Sequence, residues 1–333
     1  MSLLSGDAFV GVGSTSPLTA LSLAIRTVYS DEIYLKAMPV MKMEQFAMRK
    51  LELGVQPGKT ISVTKGSNIK RGGILAEQTE LASNVMALTS QDLTVYEYGN
   101  AIGLTEYLLR SSFYDQMEAA TTMLGRDYAM TVELLLRDIL LSATTNILYG
   151  AESKTNQTLI SSTDYLNTDH VRWAVEQMEV KNAPKFEGDA FIGAIHPHCA
   201  RYLKKDPDWT NAKLYGRVED IYIGEIGRFD DVRFFTTTLM PQGADASIED
   251  YGNGTQITPS YDATLANTGV GSAVNLYKSA IFGENAYAYA VSLPVELRDD
   301  GVTNFGRFHK LAWYSIMGAG LIEEESITTL LTA

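Results

Sequence analysis

Residues Ser112 to Thr145 read SFYDQMEAATTMLGRDYAMTVELLLRDILLSATT, a proline-free run in which Met117, Leu124, Tyr128, Leu135 and Ile139 recur at spacings of seven, four, seven and four. That recurrence is one stripe of a helix with 3.6 residues per turn. At about 1.5 Å per residue the helix would run roughly 45 to 50 Å, longer than most globular helices. A rod of that length serves as a strut across which other elements and other copies pack. It predicts a structural subunit rather than a catalytic cleft.

Upstream of the strut, Gly54, Pro57 and Gly58 precede the alternating strand Thr60-Ile61-Ser62-Val63-Thr64, and Gly66, Gly72 and Gly73 follow it. The second arm of the same hairpin is expected from Leu88 to Leu104, with a long polar excursion between the arms. A lone two-stranded ribbon is marginal in water and its free edges are a liability, so such an arm calls for a partner. Further upstream, the small and polar first fifteen residues predict a flexible arm. Ser16-Pro17 opens a short helix carrying Leu18, Leu21, Ile25 and Val28, and extended chain follows Met38-Pro39.

Downstream, Gly150 to Ser162 reads as a linker and Asp164 to Met178 as a helix on Val171, Val175 and Met178. The apolar run from Ala190 to Ile195 predicts a buried strand that His196-Pro197 ends. A helix from about His198 to Lys205, strands at Ile221 to Ile226 and Val232 to Phe235, and a surface loop from Met240 to Gly271 come next. Sheet-like chain is then expected from Val274 to Val291, and the last strands, within Leu293 to Ala333, return beside the strut.

Composition narrows the function. The chain has 333 residues, 45% of them hydrophobic, enough for a sizeable core in two or three lobes. Its net charge of -13 argues against a surface devoted to nucleic-acid phosphates. The charge is uneven: Lys36, Lys42, Arg49, Lys50, Lys59, Lys65, Lys70 and Arg71 face only Glu44 and Glu52 between positions 36 and 71. A locally basic arm on an acidic body suits docking on another copy, with Glu323-Glu324-Glu325 as a weaker complement. No basic leader with an apolar core and no bilayer-length apolar run occurs, which predicts a protein made in the cytoplasm, with no membrane partner.

Chemistry-bearing patterns are sparse. The lone Cys199 reads as a small buried hydrophobe, and Trp173, Trp209 and Trp313 as core or interface anchors. Gly11-Val12-Gly13 lacks the strand, third glycine and helix of a dinucleotide loop, and neither a phosphate loop nor a nucleophile elbow is present. Asp250 to Thr255 reads as a turn rather than a calcium loop. His196 and His198 could hold a metal only with a third ligand such as Asp206 or Asp208, which would make a metal-dependent hydrolase the alternative from a different class. Turn and packing roles suit those histidines better.

The order of elements resembles phage major capsid proteins of the HK97-like fold, and in particular the family of podoviruses that package a large virion RNA polymerase. The resemblance is carried by Asp92-Leu93-Thr94-Val95 leading through Tyr98-Gly99 to Leu104-Thr105-Glu106, then by the strut with Arg126-Asp127. Ile195-His196-Pro197, Trp209 and Gly224-Glu225-Ile226-Gly227 before Val232-Arg233-Phe234 complete it. It implies an α+β fold with an N-terminal arm (1–53), an extended hairpin loop (54–104) and a peripheral domain with a spine helix (105–163). An axial α/β domain (164–276) and returning strands of both domains (277–333) would follow. It further implies a non-enzymatic subunit without cofactor or metal, assembling into the hexamers and pentamers of an icosahedral head. That head would be built in the host cytoplasm and become the virion. Its partners would be other copies, a portal, scaffold or decoration proteins, and packaged double-stranded DNA held without base reading. Lys65, Lys70 and Arg71 are the expected intersubunit contacts. The same fold would also suit an encapsulin-like compartment shell. The chain departs from the family at the loop end, where Glu77-Gln78-Thr79-Glu80 stands in place of a Glu-Gly with a nearby proline, and no residues mark a lysine-asparagine crosslink.

Overall fold

The computed structural model of the chain describes residues 42–50, 59–66, 71, 85–112, 115–150, 154–186, 189–209, 225–242, 266–267 and 274–333. The expected arm and its helix before Met41, Lys70, the loop end at Glu77 to Glu80, and most of the loop from Met240 to Gly271 lie outside the described residues.

A 3₁₀ turn, Met43–Phe46, leads into β1 (Met48–Lys50), followed by β2 (Thr60–Gly66), β3 (Leu88–Thr94) and β4 (Tyr96–Thr105). Two helices, α1 (Glu106–Ser111) and α2 (Gln116–Leu141), precede β5 (Ile147–Tyr149) and α3 (Thr168–Val180). Next come β6 (Phe191–Ile195), α4 (Pro197–Lys205), β7 (Glu225–Phe229), β8 (Val232–Thr236), β9 (Ala266–Asn267) and β10 (Val274–Asn275). The chain closes with β11 (Tyr277–Phe282), β12 (Tyr287–Thr303), β13 (Phe308–Leu321) and β14 (Ile327–Thr332). One sheet runs β1-β12-β13-β4, a second β5-β14-β11-β6-β8-β7, and β2–β3 and β9–β10 are two-stranded ribbons.

The strut is real but shorter than its proline-free run, spanning 26 residues or roughly 39 Å. Ser112 closes α1 instead, and Asp115 opens α2 as a side-chain cap, its Oδ1 accepting the N–H groups of Met117 at 3.0 Å and Glu118 at 3.2 Å. At the other end the Ser142 hydroxyl donates back to the Ile139 carbonyl at 2.7 Å. The buried face is also wider than the expected stripe. Val132, Leu136 and Leu140 are buried, while Leu135 and Ile139 are half-buried. The reason is that α2 packs along the four-stranded sheet while its C-terminal half also meets the six-stranded one, so the buried arc widens beyond one stripe.

Charged groups fix that placement. Asp127 Oδ2 accepts from the Trp313 indole at 2.7 Å and the Asn100 amide at 3.0 Å, two residues that are register partners on β13 and β4. One turn and a half later Glu133, only 1% exposed, accepts the backbone N–H of Lys42 at 3.0 and 3.1 Å and that of Met43 at 2.9 Å. Arg137, four residues on and equally buried, donates to the Leu239 carbonyl at 2.7 Å beyond β8. Lys278 of β11 donates to the Leu141 carbonyl at 2.8 Å. Burial pushes the Glu133 carboxyl above the ordinary carboxylate range, against the pull of the Lys42 and Met43 N–H groups.

The apolar run Phe191–Ile195 is a strand covered on both faces, as its unbroken hydrophobicity predicts. Ile192 and Ala194 face the core shared with α2, whereas Phe191 and Ile195 face a second core with α3 and α4. Trp209 and Cys199 are buried in that second core, and Trp313 in the first. The sheet-like chain expected from Val274 to Val291 turns at Gly283 to Ala286, and β12 runs on to Thr303. The expected second arm, Leu88 to Leu104, breaks at Val95: β3 pairs with β2, and β4 joins the body sheet beside β13.

Replacing Glu133 by Ala leaves two buried N–H groups and a cavity, so the subunit should lose about 2–5 kcal/mol of stability in urea unfolding. Glu133→Gln, which keeps the volume and one acceptor, should lose less.

Candidate assembly interface

The ribbon of β2 and β3 keeps full antiparallel register from Thr60 opposite Thr94 to Gly66 opposite Leu88. Its base packs into the body. Leu93 is 1% exposed and Val95 is buried, and the Val95 N–H donates to the Lys59 carbonyl at 3.0 Å. Two glycines of β13 make room for this base: a Cβ at Gly318 would lie 2.2 Å from the Thr94 carbonyl oxygen, and one at Gly320 would lie 2.7 Å from Leu93 Cδ2. Beyond the base the alternation leaves most side chains of both strands exposed, including Leu88, with Val85 and Met86 exposed just before it. Among the described residues neither outer edge of the ribbon is paired.

Of the three expected contact residues, Lys65 lies on β2, where its ammonium pairs with the Glu323 carboxylate of the same chain, a half-exposed pair of small energetic weight. Arg71 is exposed and makes no ion pair among the described residues, and Lys70 lies outside them. The acidic run is used internally: Glu324 Oε1 accepts the N–H groups of Thr144 at 2.7 Å and Thr145 at 3.1 Å, which holds its carboxyl below the usual range. Sequence reasoning missed Asp127, Glu133 and Arg137 as anchors. The available signal was charge at i and i+4 inside the most apolar part of the strut.

The histidine pair forms a different arrangement from a metal site. His196 caps α4, its Nδ1 accepting the His198 N–H at 3.2 Å. The His198 ring stacks on Tyr277 at 4.3 Å, with the His196 ring 5.0 Å from the same tyrosine. Asp206 is turned to the N-terminus of α3, accepting from the Thr168 N–H at 3.0 Å and hydroxyl at 2.8 Å, and Asp208 pairs with Arg172 at 2.9 Å. Both expected third ligands are thus engaged elsewhere, and among the described residues no cluster of three or more His, Cys, Asp or Glu side chains is placed to hold a metal. Burial, and next the neighbouring His198, lower the His196 pKa from 6.5 to about 4. Among the described residues no helix is long and apolar enough to cross a membrane.

No family model matches the sequence, and no curated protein matches it either. Solved structures do match the fold. The capsid of Ralstonia phage GP4 aligns with a TM-score of 0.72 at 12% identity, covering 98% of this chain and 98% of that one. The cyanophage Pam1 capsid asymmetric unit aligns with 0.72 at 13% identity, over 98% and 99% of the two chains. The head structure of Helicobacter pylori bacteriophage KHP40 gives 0.66 at 13% identity, over 98% and 99%. Over nearly its whole length the chain therefore has the mixed α and β fold of phage capsid proteins.

Gly318→Ala should destabilise the subunit by about 1–3 kcal/mol and free the ribbon base, read as a lower melting temperature and faster proteolysis between β2 and β3. A base whose pKa falls on folding is protonated first in the unfolded chain, so His196 withdraws stability as pH drops from about 6.5 toward about 4. His196→Asn keeps a capping acceptor without the titration; its melting temperature should fall less than that of the native chain between pH 7 and pH 4.5.

Proposed function

We propose that this chain is a phage major capsid protein that self-assembles through hexamers and pentamers into an icosahedral head around double-stranded DNA. The observation that carries the reading is the end-to-end likeness to phage capsid chains. The exposed ribbon supports it, because a two-stranded arm with free edges and apolar side chains is stabilised by lying on a neighbour. In this reading α2 is the spine helix of a peripheral domain covering 105–163, and within the segment expected as a hairpin at 54–104 the β2–β3 ribbon is the extended loop, while β4 belongs to the body sheet. Residues 1–53 form an arm, 164–276 the axial domain, and 277–333 the strands returning to both.

The role is mechanical rather than enzymatic. Each copy lends its ribbon to the next, and repeated heterologous contacts close the shell. Lys65, Lys70 and Arg71 serve that contact, with Lys65 exchanging its Glu323 partner for one on the neighbour. The acidic body keeps packed DNA from adhering, so the genome is contained without base reading. Portal, scaffold and decoration proteins complete the particle, which forms in the host cytoplasm and becomes the virion. The order of the quoted sequence pieces supports, as part of this proposal, a kinship with the podoviruses that package a large virion RNA polymerase.

Negative-stain microscopy and light scattering of the purified protein, over a range of concentration and salt, test the reading. Closed shells, tubes or five- and sixfold rings are expected; a monodisperse monomer under every condition overturns it. Arg71→Glu should cut particle yield while leaving the subunit's circular dichroism and melting temperature unchanged, and a normal yield would remove Arg71 from the contact.

A further inference from the structure

Helix α4 carries a basic face without acidic partners among the described residues. Arg201, Lys204 and Lys205 share one side of the helix, all three are exposed, and none makes an ion pair among those residues. The acids around them are held by other groups: Asp206 by Thr168, Asp208 and Asp169 by Arg172, and Asp164 by Lys154 and Ser161. Three unmatched positive charges on a chain of net charge -13 form a local concentration that the overall balance conceals. Lys204 and Lys205 also suit the C-terminal end of the helix, where its carbonyls point, but Arg201 lies a turn earlier.

Between these side chains lies a cleft of about 420 Å³, lined by Arg201, Tyr202, Lys204 and Lys205 and by no carboxylate. Its neighbours set Tyr202 in place. The ring lies flat on Tyr165 with centroids 3.7 Å apart, and the Arg201 guanidinium sits 4.7 Å from its centroid. The Tyr202 hydroxyl accepts from Arg201 Nη2 at 2.9 Å and from the Tyr165 hydroxyl. Both acceptor positions are thereby used, and its own proton is left for an outside acceptor. The hydrogen bond from Tyr165, with that from Arg201, holds the Tyr202 phenol below its ordinary range, which strengthens it as a donor to an anion. The three cations span about 6 Å of helix axis. Duplex DNA carries a charge about every 1.7 Å, dense enough to meet all of them at once. An extended acidic peptide turns alternate side chains away and offers one carboxylate about every 7 Å on a face, too few for that span.

We propose that this face of α4 contacts the phosphate backbone of duplex DNA, with Arg201, Lys204 and Lys205 on phosphate oxygens and the Tyr202 hydroxyl donating to one of them. The inference rests on the reading of a shell around double-stranded DNA and names where the duplex touches the wall. A single face binds weakly. Its repetition on every copy makes the contact avid, while the acidic remainder keeps the DNA from adhering elsewhere.

Fluorescence anisotropy of a short labelled duplex, titrated with the purified chain at low salt, tests it. Three phosphate contacts predict that affinity falls about 40-fold for a fourfold rise in salt. Arg201→Gln, Lys204→Gln and Lys205→Gln combined should melt with the native chain, lose at least about tenfold in affinity and lose most of the salt dependence. Tyr202→Phe, which keeps the ring stack, should lose about fivefold. Lys310→Gln, an exposed charge on β13, should bind as the native chain does. A native chain that does not bind, or a combined variant that binds equally well, overturns the contact. Displacement of the duplex by polyglutamate at equal charge also overturns it, in favour of an acidic protein partner. Binding is read apart from particle yield: particles without binding overturn this contact alone, and binding without particles overturns the shell reading and not the contact.

Discussion

The carboxyl group of Glu133 is only 1% exposed, in the longest described helix. Removing a carboxylate from solvent costs several kcal/mol unless hydrogen bonds replace the lost hydration. Here the replacement comes from the backbone of Lys42 and Met43, a segment 90 residues earlier in the chain. That exchange fixes the 3₁₀ turn at Met43–Phe46 against α2. Tyr287 then donates its hydroxyl to the Met43 carbonyl at 2.7 Å, tying the start of β12 to the same point. With Arg137 gripping the chain after β8 and Asp127 gripping a cross-strand pair, one helix sets the positions of both sheets.

The contrast with the periphery follows from the same physics. In the body, strands such as β6 are covered on both faces and backbone groups are paired within sheets. In the β2–β3 ribbon and the outer β12–β13 hairpin, pairing stops at two strands or at a free edge, and apolar side chains face outward. A subunit with a rigid centre and unsatisfied extremities does not reach its lowest free energy alone. In the proposed assembly, neighbouring copies would supply what the single chain lacks.

The glycines of β13 join the two regimes. At Gly318 and Gly320 the ribbon base crosses so closely that no side chain fits, and Leu93 and Val95 are buried there. The arm is therefore anchored on the body at its root, touches it again through Lys65 and Glu323, and leaves most of its other side chains exposed.

Much of the fold is legible in the sequence alone. The 3.6-residue recurrence around Leu124 reported the strut, the unbroken apolar run at Phe191 to Ile195 a two-sided buried strand, and the glycines around Thr60 to Gly66 a ribbon. Local chemistry determines these features: side-chain period, backbone freedom and hydrophobicity act over a few residues. What the tertiary structure decided was everything that depends on a distant partner. Leu135 and Ile139 are only half-buried, because a second surface met the helix and widened its buried arc to Val132, Leu136 and Leu140. Strand β4 left the ribbon at Val95 to join β13, Lys65 found Glu323, and Asp206 turned from the histidines to cap α3. Pairings across such separations arise from packing in three dimensions, and no spacing along the chain encodes them.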